Sequence, residues 1–187
     1  MNIGPKNTEV AAELNEAVKC INLGKLEDAV KICDSVLVKD PDNVTALNIL
    51  GGSLARAGKT EQAIRVAERV CALKPGNAIF YSNLSYLHGV MGNTPKAVLV
   101  MAHAVLSDTA NTVYQAKFAH MTDRLEFYQA APETVVIKKA INVCMANPDI
   151  DVGSFSTAWH TLLMLDPAFT RFAALTQTGV FEEQAQE

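Results

Sequence analysis

The sequence predicts an all-α solenoid of helix pairs closed by a helical C-terminal cap, on three observations. First, the chain repeats itself at a spacing of 34 residues: Gly24, Gly58 and Gly92 superpose, as do Ala29, Ala63 and Ala97. The residues after those alanines, Val30, Ile64 and Val98, form a further column. Second, apolar residues between the columns fall with helical spacing, and helix start and stop signals sit where the repeat needs them. Third, from residue 130 onward the register is lost but helical periodicity continues.

Each column has a mechanical reason. The glycines lie between two periodic apolar stretches, where one helix ends and the chain reverses. The alanines come early in the second helix of each pair, where a small side chain lets two helices approach closely. Pro41 and Pro75 follow that second helix and stop it, because proline has no backbone N–H to continue the ladder. Their third counterpart is Thr109, and Leu50 and Leu84 match one helix earlier. Thr8, Asn77 and Thr94 are the expected N-caps, with Pro95 at the first helical position. These marks predict helix pairs at 8–22 and 26–39, 43–56 and 60–73, and 77–90 and 94–107. A helix at 111–129 occupies the place of a fourth repeat's first helix. Glu126 stands where its turn glycine belongs and Pro132 arrives early, so this helix is expected to cap the last apolar face.

The pattern resembles the tetratricopeptide repeat family over residues 10–111, as three copies. Residues 1–9 are then a lead-in, 112–180 capping and non-repeat helices, and 181–187 a polar tail. The family motif is degenerate, and the chain departs from it. The large aromatic early in the first helix is Glu13, Leu47 and Tyr81, and the small residue at the helix contact is Ala17, Gly51 and Ser85. Repeat one is therefore the least typical, as an end repeat often is. The resemblance implies a right-handed superhelix whose concave side is lined by the first helix of each pair.

Further on, Pro132-Glu133 opens a helix with Val136, Ala140, Ile141 and Cys144 along one face, ended by Asn147-Pro148. Asp151 is placed to cap a helix carrying Phe155, Ala158, Trp159, Leu162 and Leu163; Asp166-Pro167 starts another with Phe169, Phe172 and Ala173, broken by Gly179. The pieces Asn147-Pro148, Asp151 and Leu163-Met164-Leu165-Asp166-Pro167-Ala168-Phe169 are similar to the linker that follows such repeats in some bacterial methyltransferases and glycosyltransferases.

Composition narrows the function. Of 187 residues 49% are hydrophobic, enough to bury a sizeable core and too many for general disorder. The net charge is −4 and no run of Lys or Arg stands out, which argues against nucleic acid or an anionic membrane as partner. No apolar stretch has the length of a membrane span, and Met1-Asn2-Ile3-Gly4-Pro5-Lys6 lacks the layout of a secretion signal. Cys20, Cys33, Cys71 and Cys144 have no CxxC spacing and lie among apolar helical residues. They read as reduced buried thiols in a cytoplasmic protein, with disulfide or metal chemistry as the alternative.

Nothing in the chain builds an active site. The paired Gly51-Gly52 lies mid-helix and not in the strand–loop–helix setting of a phosphate loop. Asp149-Ile150-Asp151 has the spacing of the metal-binding acidic pair of many sugar transferases, but Asp151 reads better as a helix cap. His88, His103, His120 and His160 have no Cys, Asp or Glu at i+3 or i+4 that would build a zinc site, and His88 is expected as a hydrogen-bonded interior residue. No catalytic, cofactor-binding or metal-ligating residue is therefore expected, and no cofactor.

What remains is a surface. At the positions that face inward in the family the chain places Leu14, Asn15, Val18 and Asn22, then Asn48, Gly52 and Arg56, then Asn83, Tyr86 and Val90. The capping helix adds His120 and Arg124. An asparagine amide can both donate to and accept from an extended backbone, and Tyr86 offers flat apolar area with a polar tip. The expected peptide-binding residues are Asn15, Asn48, Arg56, Asn83, Tyr86 and His120. The third inner helix offers Ser82, Tyr86 and Val90, without the cations of the family's clamp for acidic C-terminal peptides, so chaperone-tail binding of that type is disfavoured. The expected function is a non-catalytic adaptor or scaffold holding a protein or peptide segment in the groove. The alternatives are a targeting module of a glycosyltransferase or methyltransferase system and a self-associating scaffold, a homo-oligomer.

Overall fold

The computed structural model describes residues 5–122 and 134–150, which form eight α-helices and no strand. In chain order these are α1 (Pro5–Asn22), α2 (Leu26–Lys39), α3 (Val44–Arg56), α4 (Thr60–Leu73), α5 (Ala78–Val90), α6 (Thr94–Ser107), α7 (Thr112–Thr122) and α8 (Thr134–Met145). The architecture is the all-α solenoid that the repeat predicts. Of the six repeat helices, five match the expected spans to within a residue. The exception is α1, which begins at Pro5 and takes Thr8 and part of the 1–9 lead-in into its first turns. Glu126, Pro132, Asp151, the helices expected beyond it and the tail at 181–187 lie outside the described residues, as does the far end of the 111–129 helix.

The turn inside each pair is the same device three times. Gly24, Gly58 and Gly92 have φ of +75°, +75° and +73°, a conformation that a Cβ disfavours. The N–H after each glycine donates five residues back, Lys25 to Cys20 O, Lys59 to Leu54 O and Asn93 to His88 O, at 2.8, 2.9 and 2.9 Å. These are the bonds of a Schellman ending, which satisfy carbonyls that the helix itself leaves open.

The starts of the first helices are equally regular, and sequence reasoning caught one of three. Asn43 Oδ1 accepts from the Ala46 N–H at 3.0 Å, Asn77 Oδ1 from Ile79 N–H at 3.1 Å and Asn111 Oδ1 from Val113 N–H at 3.1 Å. Only Asn77 was expected as a cap. The assignment of Thr94 is corrected: Asn93 caps α6, its side chain accepting from the Lys96 N–H at 3.3 Å, and Thr94 is the first helical residue. Asn reaches this N–H while already serving the preceding turn, so the cap falls one residue earlier than the Thr-Pro pair suggests.

Small residues sit at the helix crossings. Ala29, Ala63 and Ala97 are fully buried, and facing them are Ala17, Gly51 and Ser85. A Cβ on Gly51 would lie 4.0 Å from the Ala63 carbonyl oxygen, and the Ser85 hydroxyl donates to the Ala97 carbonyl at 2.7 Å. Glu13, standing where the family has an aromatic, is half-buried and accepts from Lys39 Nζ on α2 at 2.8 Å.

The last pair differs. Helices α2 and α4 carry Lys31, Asp34, Arg65 and Glu68 on their outer faces, all exposed. At the same register α6 carries Leu99 and Ala102, and α8 packs on it: Ile137, Ala140, Ile141 and Cys144 join Val98, Ala102 and Val105 in one core cluster. That is why α6 is apolar nearly all round. The cap is secured by polar contacts as well. Gln115, 1% exposed, donates to the Thr109 carbonyl at 2.7 Å and accepts from Asn147 Nδ2 at 2.6 Å. No helix among the described residues is long and apolar enough to cross a membrane.

Candidate functional site

The concave side of the array is built from α3, α5 and α7, the first helices of successive pairs. A hollow of about 330 Å³ lies between α3 and α5, with Asn48, Gly52, Arg56, Asn83 and Tyr86 on its rim and Leu47, Val70 and Leu87 in its floor. A second, of about 510 Å³, lies between α5 and α7 and is bordered by Asn83, Tyr86, Val90, Lys117 and His120. Asn83 and Tyr86 border both, so the two hollows flank the same stretch of α5 on the concave side.

Five of the six expected peptide-binding residues therefore come together: Asn48, Arg56, Asn83, Tyr86 and His120, all exposed. Asn15 is exposed on α1 but borders neither hollow. Of the wider set, Leu14 is corrected. It is 7% exposed and packs with Val36 and Ala46 in the core, because α1 turns this position against α2 and α3. Arg124 and His160 lie outside the described residues. Tyr86 is 69% exposed, a large apolar surface with no described neighbour covering it. On the same face of α5, at helical spacing, stand Ile79, Asn83 and Val90, with Ile79 and Val90 also more than half exposed.

Sequence reasoning missed Lys117, exposed at the border of the second hollow. The signal was present: it lies 34 residues after Asn83, in a column already chosen, and one turn before His120. It also missed the charge pattern. The stretches of α3, α5 and α7 contain no Asp or Glu at all.

The remaining singled-out groups are structural. His88 is buried at 4% exposure, as expected, but its Nε2 has no hydrogen-bond partner among the described residues, so the hydrogen-bonded half of that expectation is corrected there. Burial, with help from Lys96, holds its pKa below the ordinary histidine value. His103 stacks on Tyr81 with ring centroids 5.4 Å apart, and burial lowers its pKa too. All four cysteines are buried and free, and burial pushes the thiols of Cys33 and Cys71 up to about 11 and Cys144 to about 12. Asp149 follows the Asn147 side chain, which accepts from its N–H at 3.0 Å in a tight turn. Among the described residues no three His, Cys, Asp or Glu side chains gather as a metal site would require.

The arrangement is that of tetratricopeptide-repeat proteins: stacked helix pairs with a groove lined by each pair's first helix. Solved structures agree. A crystal structure of MamA superposes with a TM-score of 0.60 at 18% identity, over 95% of this chain and 96% of that one. The first tetratricopeptide domain of Spaghetti (RPAP3), bound to an HSP90 peptide, gives 0.56 at 14% identity, over 61% of this chain and 90% of that one. A variant of O-GlcNAc transferase from Thermobaculum terrenum gives 0.58 at 20% identity, over 76% of this chain but only 27% of the transferase. No family model and no curated protein sequence matches the chain. At these identities the likeness is one of fold.

Proposed function

We propose that the chain is a non-catalytic interaction module that holds an extended protein segment in the groove across α3, α5 and α7. The observation that supports this reading is the pair of hollows flanking an uncovered Tyr86, with the exposed amides of Asn48 and Asn83 at their rims available to a peptide backbone. Asn15 would extend contact onto α1 for a longer segment. The working unit is the three repeats at 10–111 together with α7, the first part of the 112–180 cap; α1 takes in part of the 1–9 lead-in, 181–187 is a tail, and the module acts in the cytoplasm. The peptide carried by the Spaghetti domain shows that this fold can hold one, and that precedent supports the reading.

A second reading has its own support. The transferase match covers about a quarter of that enzyme's length, as a targeting module attached to a glycosyltransferase would. The groove would then select the acceptor protein.

The test is selection of a displayed random peptide library on the purified chain. The triple variant Asn48→Ala, Asn83→Ala, Tyr86→Ala removes two exposed amides and one exposed ring, none of them core, so folding should hold. Each lost hydrogen bond weakens binding by about 0.5–1.5 kcal/mol and an aromatic anchor by about 2 or more, together about 3–5 kcal/mol, or a few hundredfold to a few thousandfold. The control pair Lys31→Ala, Arg65→Ala on the outer faces should enrich the same peptides as the wild type. Enrichment that survives the triple but not the control pair would move the site to the convex face or the ends of the array, and self-association would become the better function.

A further inference from the structure

We infer that the segment held in this groove carries a large apolar side chain flanked on both sides, about three residues away, by carboxylates. The inference rests on the groove being the binding site and adds the chemistry of the occupant. Its basis is where the charges of the molecule are and are not. The chain has 20 acidic residues against 16 Lys and Arg, so a surface chosen at random would show carboxylates. Yet α3, α5 and α7 carry none, and the charged groups bordering the hollows are Arg56 and Lys117.

Among the described residues those two cations belong to the unpaired ones, with Lys25, Lys59, Arg65 and Lys74, but unlike those four they border the hollows. Lys31, Lys39, Arg69 and Lys96 each lie within 4 Å of a carboxylate, at 3.7, 2.8, 2.8 and 3.3 Å from Asp28, Glu13, Asp42 and Glu68. Arg56 and Lys117 are exposed and form no ion pair among the described residues. A groove with cations and no anions leaves their field uncompensated and focused between its walls.

The spacing follows from the repeat. Arg56 is on α3 and Lys117 on α7, with Tyr86 on α5 between them. Thirty-four residues relate Arg56 to Val90 and Lys117 to Asn83, and on α5 those lie one turn beyond and one turn before Tyr86. The cations thus stand on opposite sides of the ring, on a diagonal across three helices. Successive first helices face each other across a hollow with few close contacts, so they stand at least the roughly 10 Å of packed helices apart. An extended chain advances about 3.3 Å per residue, so each step takes about three residues or a little more. A segment with its apolar side chain against Tyr86 would bring a carboxylate to Arg56 and another to Lys117. These are side-chain carboxylates met at two separated points, which distinguishes the site from a clamp on a chain terminus.

The experiment uses three fluorescent seven-residue peptides with blocked ends, each with a central Phe and two Ser on either side, ending in Asp, Gln or Lys at both ends. Binding is followed by anisotropy at low and high salt. The acidic peptide should bind about tenfold more tightly than the lysine peptide at low salt, from attraction to two exposed charges in one case and repulsion in the other. The gap should narrow as salt rises. Arg56→Gln with Lys117→Gln should remove the preference between the acidic and the lysine peptide, and Tyr86→Ala should weaken all three peptides. Equal or tighter binding of the lysine peptide would overturn the inference. So would failure of all three peptides when groove-dependent library peptides exist, which would leave the groove reading standing; if no library peptide depends on the groove, both fall. Sedimentation showing a dimer that Tyr86→Ala dissolves would assign the groove to a second copy of the chain and overturn the inference as well.

Discussion

Gly51 is expected to be replaceable by alanine with a gain in stability, although it lies in the column where two helices approach most closely. The reasoning sets two magnitudes against each other. A glycine inside a helix is less favourable than alanine by about 0.8–1.0 kcal/mol, through the freedom the unfolded chain loses. Against that stands any clash, and the structure removes it. A Cβ at Gly51 would meet Val66 Cγ1 at 3.5 Å and the Ala63 carbonyl oxygen at 4.0 Å, which is ordinary van der Waals contact. The equivalent position in repeat one is already Ala17, with no exposed surface. The new methyl also gains burial, of the order of several tenths of a kcal/mol. The net gain should be about 1 kcal/mol, or a rise of about 2–4 °C in Tm for a chain of this size. Gly52 supplies the control, since a Cβ there meets nothing within 4 Å. Gly52→Ala should gain the helix term without the burial term. Urea melts of both variants measure the difference directly. If Gly52→Ala stabilises while Gly51→Ala destabilises, α3 and α4 pack closer than this geometry allows and the argument fails.

Other outcomes follow from the same structure. Ala63→Leu forces three further carbons into a site with no free surface and should cost about 1–3 kcal/mol, with Ala29→Leu and Ala97→Leu behaving alike; unchanged melts for all three would remove the register. Stability should fall as pH drops below about 6.5, the ordinary histidine pKa, because burial holds His88 and His103 below it and the unfolded chain then binds more protons. His88→Leu, which copies Leu54 of the preceding repeat, should flatten that slope, and an equal or steeper slope in urea melts between pH 7.5 and 5.5 would contradict it. The buried thiols, with Cys33, Cys71 and Cys144 raised to about 11, 11 and 12, should react with an alkylating reagent at pH 8 only as fast as the array opens; labelling faster than hydrogen exchange of the core amides would show them accessible.

The repeat was legible because both its turn glycines and its small-residue columns are imposed by backbone geometry, which tolerates few alternatives. The caps were half legible. Asn43, Asn77 and Asn111 are themselves a 34-residue column, yet Thr94-Pro95 looked like the stronger signal beside Asn93. Groove residues on α3 and α5 could be placed because helix phase fixes which side chains share a face. Leu14 could not, since its fate depends on how tightly α1 settles on its neighbours. The apolar outer face of α6 was readable from Leu99 and Ala102, where Arg65 and Glu68 stand one repeat earlier; which helix covers it was not, because α8 packs out of register.

The matched pair of boundary devices on α3 and α5, an Asn side chain opening the helix and a left-handed glycine closing it, makes the unit copyable. Both ends of the helix are settled by atoms within a few residues, without reference to the rest of the molecule. A second copy of residues 43–76 spliced in after Gly76 would bring its own opening and its own reversal, and would leave every downstream cap in place. The groove would lengthen by one helix width, about 10 Å, and gain a second Asn48 and Arg56. Ligand length would then be a property set by the number of units and not by redesign of any one of them.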